Sequence, residues 1–89
     1  MWHVTLSRDA IKAIERLPKN VQKRAFGLMK EIEIMGPVRG DWPNYGKLSE
    51  NRHHCHIKKG RPTYVAVWRV IGPNSVEVTY VGTHERAPY

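Results

Sequence analysis

The sequence predicts an α+β domain in the order β-α-α-β-β-β, a two-helix hairpin packed on one face of a small, mostly antiparallel sheet. Three observations carry that reading. Apolar residues recur twice at helical spacing between residues 10 and 35. From residue 45 onward the chain turns to β-branched and aromatic runs separated by Gly and Pro turns. Finally, 89 residues leave room for one core, and no repeat, linker or low-complexity segment divides them, so residues 1–89 form a single domain.

Trp2, Val4 and Leu6 alternate with His3, Thr5 and Ser7, the signature of a strand with one face buried. Ser7 is placed to cap the helix that follows, its hydroxyl accepting from an orphan N–H of the first turn. Ala10, Ile11, Ala13, Ile14 and Leu17 form that helix's apolar stripe, and Pro18 closes it. Asn20 is the expected cap of a second helix with the stripe Val21, Ala25, Leu28, Met29, Ile32 and Met35. Lys23, Arg24, Lys30 and Glu31 face outward, and Gly36-Pro37 ends the helix. Residues 36–46 are loop. The second strand runs from Tyr45 or Lys47 to Lys58, with an interruption near Ser49-Glu50-Asn51. Lys59-Gly60-Arg61-Pro62 is a turn, Thr63 to Ile71 is the strongest strand, and Gly72-Pro73-Asn74-Ser75 leads into a last strand from Val76 to Val81.

Alternation assigns faces to these strands. Tyr64, Ala66, Trp68 and Val70 should face the helices, with Val65, Val67 and Arg69 opposite. Val76, Val78 and Tyr80 should also turn inward. The open face then collects His54, His56, Lys58 and Arg69, while Cys55 and Ile57 point to the core. His84, Arg86 and Tyr89 arrive from the sheet edge or the tail.

Fifteen Lys and Arg against eight Asp and Glu give a charge of +7, which favours an acidic partner: nucleic acid, an anionic membrane face or an acidic protein. A merely basic, soluble domain would have the same composition. Seven of the fifteen basic residues and four of the five histidines follow residue 45. Cys55 is the single cysteine, so no internal disulfide forms and a reducing cytosol fits. The opening residues lack the charged leader and apolar run of a signal peptide. Nothing approaches the ~20 apolar residues that cross a bilayer. The expectation is a cytoplasmic chain without a membrane partner.

Read together, Ser7-Arg8-Asp9-Ala10 after the opening strand, the helical hairpin, Lys47-Leu48, Cys55-His56-Ile57-Lys58, Tyr64-Val65-Ala66-Val67-Trp68-Arg69-Val70 and Val81-Gly82-Thr83-His84-Glu85-Arg86 resemble the RelE/ParE superfamily of toxins from type II toxin–antitoxin systems. The resemblance covers essentially the whole chain and rests on order, lengths and the closing V-G-T-H-E pattern. It implies an endoribonuclease that cuts messenger RNA in the ribosomal A site and is held inactive by an antitoxin. By position, the family's two strand lysines fall on His56 and Lys58. Its arginine after the V-G step falls on His84, and its late tyrosine on Tyr89. Its third-strand arginine falls near Val65, a departure for which Arg61 or Arg69 would have to substitute. The change to histidine is closer to the HigB-like branch. ParE relatives act on DNA gyrase with the same fold, so a gyrase-inhibiting toxin without nuclease activity, or an inactive antitoxin-binding relative, stays open.

Metal-free RNA cleavage needs a base for the 2′-OH, charge stabilisation for the phosphorane and an acid for the leaving 5′-oxygen. Histidine serves near neutrality as base or acid, and Lys or Arg supplies the stabilisation. On this chemistry His56 or His54 is assigned as the base, His84 as the acid, and Lys58 with Arg69 or Arg61, helped by Arg86, as the phosphate binders. Tyr89 would stack on a base. No cofactor is expected. A zinc site in His53-His54-Cys55-His56 is opposed by alternation, which turns Cys55 away from His54 and His56, and no second ligand pair exists. Cys55 belongs to a core row and Trp68 and Tyr80 read as core, while Trp42 either covers the core edge or meets a partner. His3 reads as surface. Lys12, Arg16, Lys19, Lys23, Arg24 and Lys30 make a basic helical surface that is either simply solvated or meets ribosomal RNA backbone. Such a surface also suits the acidic antitoxin that the resemblance implies.

Overall fold

A computed structural model describes residues 1–89, opening with β1 (His3–Leu6), α1 (Arg8–Glu15) and α2 (Lys19–Met35). The sheet residues follow as β2 (Gly46–Lys47), β3 (Arg52–Lys58), β4 (Tyr64–Gly72) and β5 (Ser75–Thr83), and a 3₁₀ turn spans His84–Arg86. The sheet order is β1-β5-β4-β3-β2; β1 lies parallel to β5 and every other pair is antiparallel. Both helices cover one face, α1 over β5 and β1, α2 over β3 and β1. This is the predicted α+β hairpin-on-sheet architecture, with the second strand interrupted at residues 48–51 as expected.

Ser7 caps α1 by accepting from the Ala10 N–H at 3.1 Å. Ala10 and Ile14 are buried, whereas Ile11, assigned to the same stripe, is half exposed because this short helix lays only a narrow ridge on the sheet. Asn20 does not cap α2. The first turn forms directly on Pro18, whose carbonyl accepts from Val21 and Gln22 at 3.0 and 2.9 Å. Gln22 Nε2 in turn donates to the Ile14 carbonyl at 2.7 Å, tying the two helices at their junction. Val21, Ala25, Leu28 and Ile32 form the buried ridge of α2. Met35, expected to extend it, projects past the packed turns and is exposed. Gly36, at φ 96°, ends the helix.

The loop after α2 is anchored rather than loose. Trp68 Nε1 donates to the Pro37 carbonyl at 2.9 Å, and Glu31 accepts from both Arg39 (3.1 Å) and Trp42 Nε1 (3.0 Å). Trp42 thus covers the core edge. Beneath it, His53 is buried in a ring stack, 5.8 Å from Trp68 and nearly parallel to it, with its Nδ1 2.7 Å from the Tyr45 hydroxyl.

Two bulges revise the strand faces. In β5, Val78 pairs with Trp68 and Tyr80 with Val67, so Thr79 is an extra residue without a partner. Alternation restarts after it. Val81 enters the core and Tyr80, expected inside, turns to the open face. In β3, His56 pairs with Val65 but Lys58 with Tyr64, which leaves Ile57 as the extra residue. Lys58 therefore leaves the His54–His56 row, where simple alternation had placed it.

Candidate active site

Two cross-strand rows make the floor of the open face: His54–Val67–Tyr80 and His56–Val65–Gly82. Val65 and Val67 are fully buried here, apart from the core cluster under the helices. Gly82 is needed in the second row. A Cβ there would lie 2.8 Å from the Tyr80 hydroxyl, which leans over the position to donate to the Thr83 carbonyl at 2.7 Å.

The tail completes the site. The His84 N–H donates to the Thr63 carbonyl at 2.8 Å, and the Ala87 N–H closes the 3₁₀ turn on the His84 carbonyl. This turn brings the His84 ring edge-on to His56, with centroids 5.4 Å apart. It also returns Tyr89 over the sheet, 4.7 Å from His54 and 6.0 Å from His84. Four of the residues singled out in the sequence, His54, His56, His84 and Tyr89, form one contiguous cluster. Their separation in sequence is large, so only the docked tail unites them.

Burial holds the proton affinity of His54 below the ordinary imidazole value, and the nearby His84 adds to the effect. His56 is lowered by burial first, then by His84, His54 and Lys59. Both rings are therefore neutral at pH 7 and able to accept a proton. Nδ1 of each is buried without a protein hydrogen-bond partner. Burial raises the Tyr89 hydroxyl, which stays protonated and can donate. Cys55, under the sheet, is pushed up to about 12 by burial and then by Asp41 and Glu31, which makes it inert as a nucleophile.

The remaining predicted cations are dispersed. Lys58 lines a cleft with Arg24, Trp42, Pro43 and Lys59 on the helix side of the bulge, and of the two lysines it is Lys59 whose charge adds to the lowering of His56. Arg61 shares a cleft with Thr63, His84 and Glu85 and is the arginine at the cluster's rim. Arg69 is instead bound to Glu77 at 3.1 Å and sits opposite Arg52. Arg86 lines a cleft at the end of the sheet near α1, with Arg16, Leu17, Thr83 and Tyr80. Lys59 and Glu85 were not singled out from sequence. A bulge decides the first and the tail's path the second, and neither has a local signature. No group of His, Cys, Asp and Glu has the arrangement of a metal site.

No family sequence model matches the chain, and no curated protein matches it by sequence. Solved structures do match in shape. The isolated RelE toxin of E. coli superposes with a TM-score of 0.71 at 20% identity, covering 99% of this chain and 89% of that one. The YoeB dimer of Staphylococcus aureus gives 0.72 at 20% identity over 93% and 97%. The archaeal RelE–RelB complex from Pyrococcus horikoshii OT3 gives 0.73 at 14% over 97% and 98%. At such identities the likeness establishes architecture: two helices on one face of a five-stranded, mostly antiparallel sheet, which is the fold of the RelE-like toxins.

Proposed function

We propose that this chain is the toxin of a type II toxin–antitoxin pair and acts as a ribosome-dependent endoribonuclease that cleaves messenger RNA by metal-free acid–base chemistry. The observation that carries this reading is the cluster of His54, His56, His84 and Tyr89 on the open face of a domain with charge +7. Neutral His56, or His54 beside it, takes the proton of the 2′-OH. The 2′-oxygen attacks phosphorus, and the P–O5′ bond breaks as His84 protonates the departing oxygen. The products are a 2′,3′-cyclic phosphate and a 5′-hydroxyl. Lys59 and Arg61 supply positive charge to the phosphorane, and Lys58, Arg69 and Arg86, dispersed around the cluster, meet the flanking phosphates. Tyr89 stacks on or orients a base.

The basic helical surface, with Lys12, Arg16, Lys19, Lys23 and Arg24 all exposed, contacts ribosomal RNA backbone. An acidic antitoxin occupies the open face or displaces the tail, a partnership of the kind that the RelE–RelB complex of P. horikoshii represents. No helix is long and apolar enough to cross a membrane, and a chain that works on ribosomes acts in the cytoplasm. Expression without an antitoxin, followed by pulse labelling and mapping of mRNA ends on ribosomes, tests the proposal. Protein synthesis should fall first, with new 5′-hydroxyl ends inside A-site codons. DNA synthesis stopping first, with cleaved gyrase complexes, would replace this reading with a gyrase inhibitor.

A further inference from the structure

Beside His84, the β3–β4 turn and the 3₁₀ turn enclose an open cleft of about 480 Å³, lined by Gly60, Arg61, Pro62, Thr63, His84 and Glu85. Its lining is wholly polar or small, without an aromatic or aliphatic wall. One lining group is out of keeping with a surface that only holds RNA backbone: the Glu85 carboxylate. On a basic chain, an acid placed where phosphates approach weakens their binding, because like charges repel. Glu85 is not held in an ion pair. The ion pairs of the molecule use Glu31, Glu33, Asp41 and Glu77, and neither Glu85 nor Arg61 belongs to one.

An ionised carboxylate only accepts hydrogen bonds. In single-stranded RNA its partners are therefore the donors on base edges, which unstacked bases expose. The four bases differ there. Guanine presents two adjacent donors, N1–H and the N2 amino group, spaced to meet both oxygens of one carboxylate. Cytosine and adenine present one amino group each, and uracil one ring N–H. Arg61, across the cleft, contributes a planar fork of donors suited to a phosphate. We infer that Glu85 reads a guanine seated in this cleft, next to the phosphodiester presented to His84, with Arg61 holding the adjoining phosphate. The inference rests on the reading of this chain as an RNA-cleaving protein and gives that site its base preference.

The test measures binding apart from cleavage. Trinucleotides UpNpU with 2′-O-methyl riboses lack the attacking hydroxyl and remain intact. Their affinities for the full chain are read from the amide shifts of Arg61, Thr63, His84 and Glu85. The guanine trinucleotide should bind about 5–150-fold more tightly than the uracil one, the span of a good bidentate base contact. Glu85→Gln, exposed and safe for the fold, should abolish the preference, because an amide offers one acceptor and one donor. Equal affinity for all four bases, or no binding of any, overturns the inference. So does a Glu85→Gln variant that binds all four more tightly by the same factor, which would make the carboxylate a mere repulsive charge. Guanine preference without any mRNA cleavage would remove the nuclease and keep the base pocket. Cleavage without base preference would remove the pocket alone.

Discussion

His84 has its backbone fixed by Thr63 and its ring exposed against His56, the arrangement of a group that must hold position yet exchange protons. His84→Ala should lower mRNA cleavage by about 10²–10⁴-fold, the usual scale for losing a general acid. Ribosome binding should hardly change, since many basic side chains carry it. A folded variant that binds ribosomes and cleaves at the wild-type rate would take His84 out of the mechanism. His56 sets the acid limb of the same reaction. Its proton affinity is lowered, so the base stays competent at pH 6.5, and kcat/KM should fall only as pH drops below that ordinary value. A limb centred above 6.5 would contradict this assignment. Gly82 makes a different kind of contribution. Gly82→Ala would force the Tyr80 hydroxyl off the Thr83 carbonyl at the root of the tail. Urea unfolding should show a loss of about 1–2 kcal/mol, from overpacking and a broken hydrogen bond. Unchanged stability would mean that Tyr80 moves aside freely.

Among the elements, α1 is the most exposed to a single change. Eight residues hold few hydrogen bonds, and a helix this short owes its stability to packing and to its cap rather than to propensity. Ser7 accepts from Ala10 and also lies 3.4 Å from the Thr79 carbonyl, so it joins the helix start to the bulged residue of β5. Ser7→Ala should therefore destabilise the protein by about 1 kcal/mol, within the 0.5–2 kcal/mol of lost N-caps, measurable as a lower urea midpoint at constant m. The strand periods were readable in advance along most of their length. Cys55 and Ile57 inside, His54 and His56 outside, and Ala66 and Trp68 inside all follow from alternation. The misreadings fall after bulges: Lys58 follows the one at Ile57 and Tyr80 the one at Thr79. One extra residue inverts every side chain beyond it, and nothing in the local composition marks the insertion.

At the level of the whole molecule, three imidazoles have depressed proton affinity: His53, buried in the core, chiefly by desolvation and then by Lys47, and the half-buried His54 and His56 under the tail. In each case the unfolded chain binds a proton more readily than the folded one. Their stabilisation is complete above the unfolded value of about 6.5 and is lost as pH falls through the lower folded values. Urea midpoints should therefore be level from pH 8 to 7 and decline below about 6.5. His53→Gln should shrink part of that decline; a midpoint that rises on acidification would refute the account.

Composition, periodicity and turn chemistry by themselves determined the architecture, the single core, the basic charge and the histidine row on the open face. They suffice because burial of apolar stripes admits few arrangements for two helices and a short sheet. Only the tertiary structure decided which charged groups meet. The docking of the 3₁₀ turn on Thr63 sets His84 against His56 and Tyr89 against His54, across some thirty sequence positions. The Ile57 bulge turned Lys58 off the histidine row, and the paired Glu77 withdrew Arg69 while Arg61 stayed free at the rim. Those outcomes depend on through-space partners, and a local sequence window contains no information about the partner.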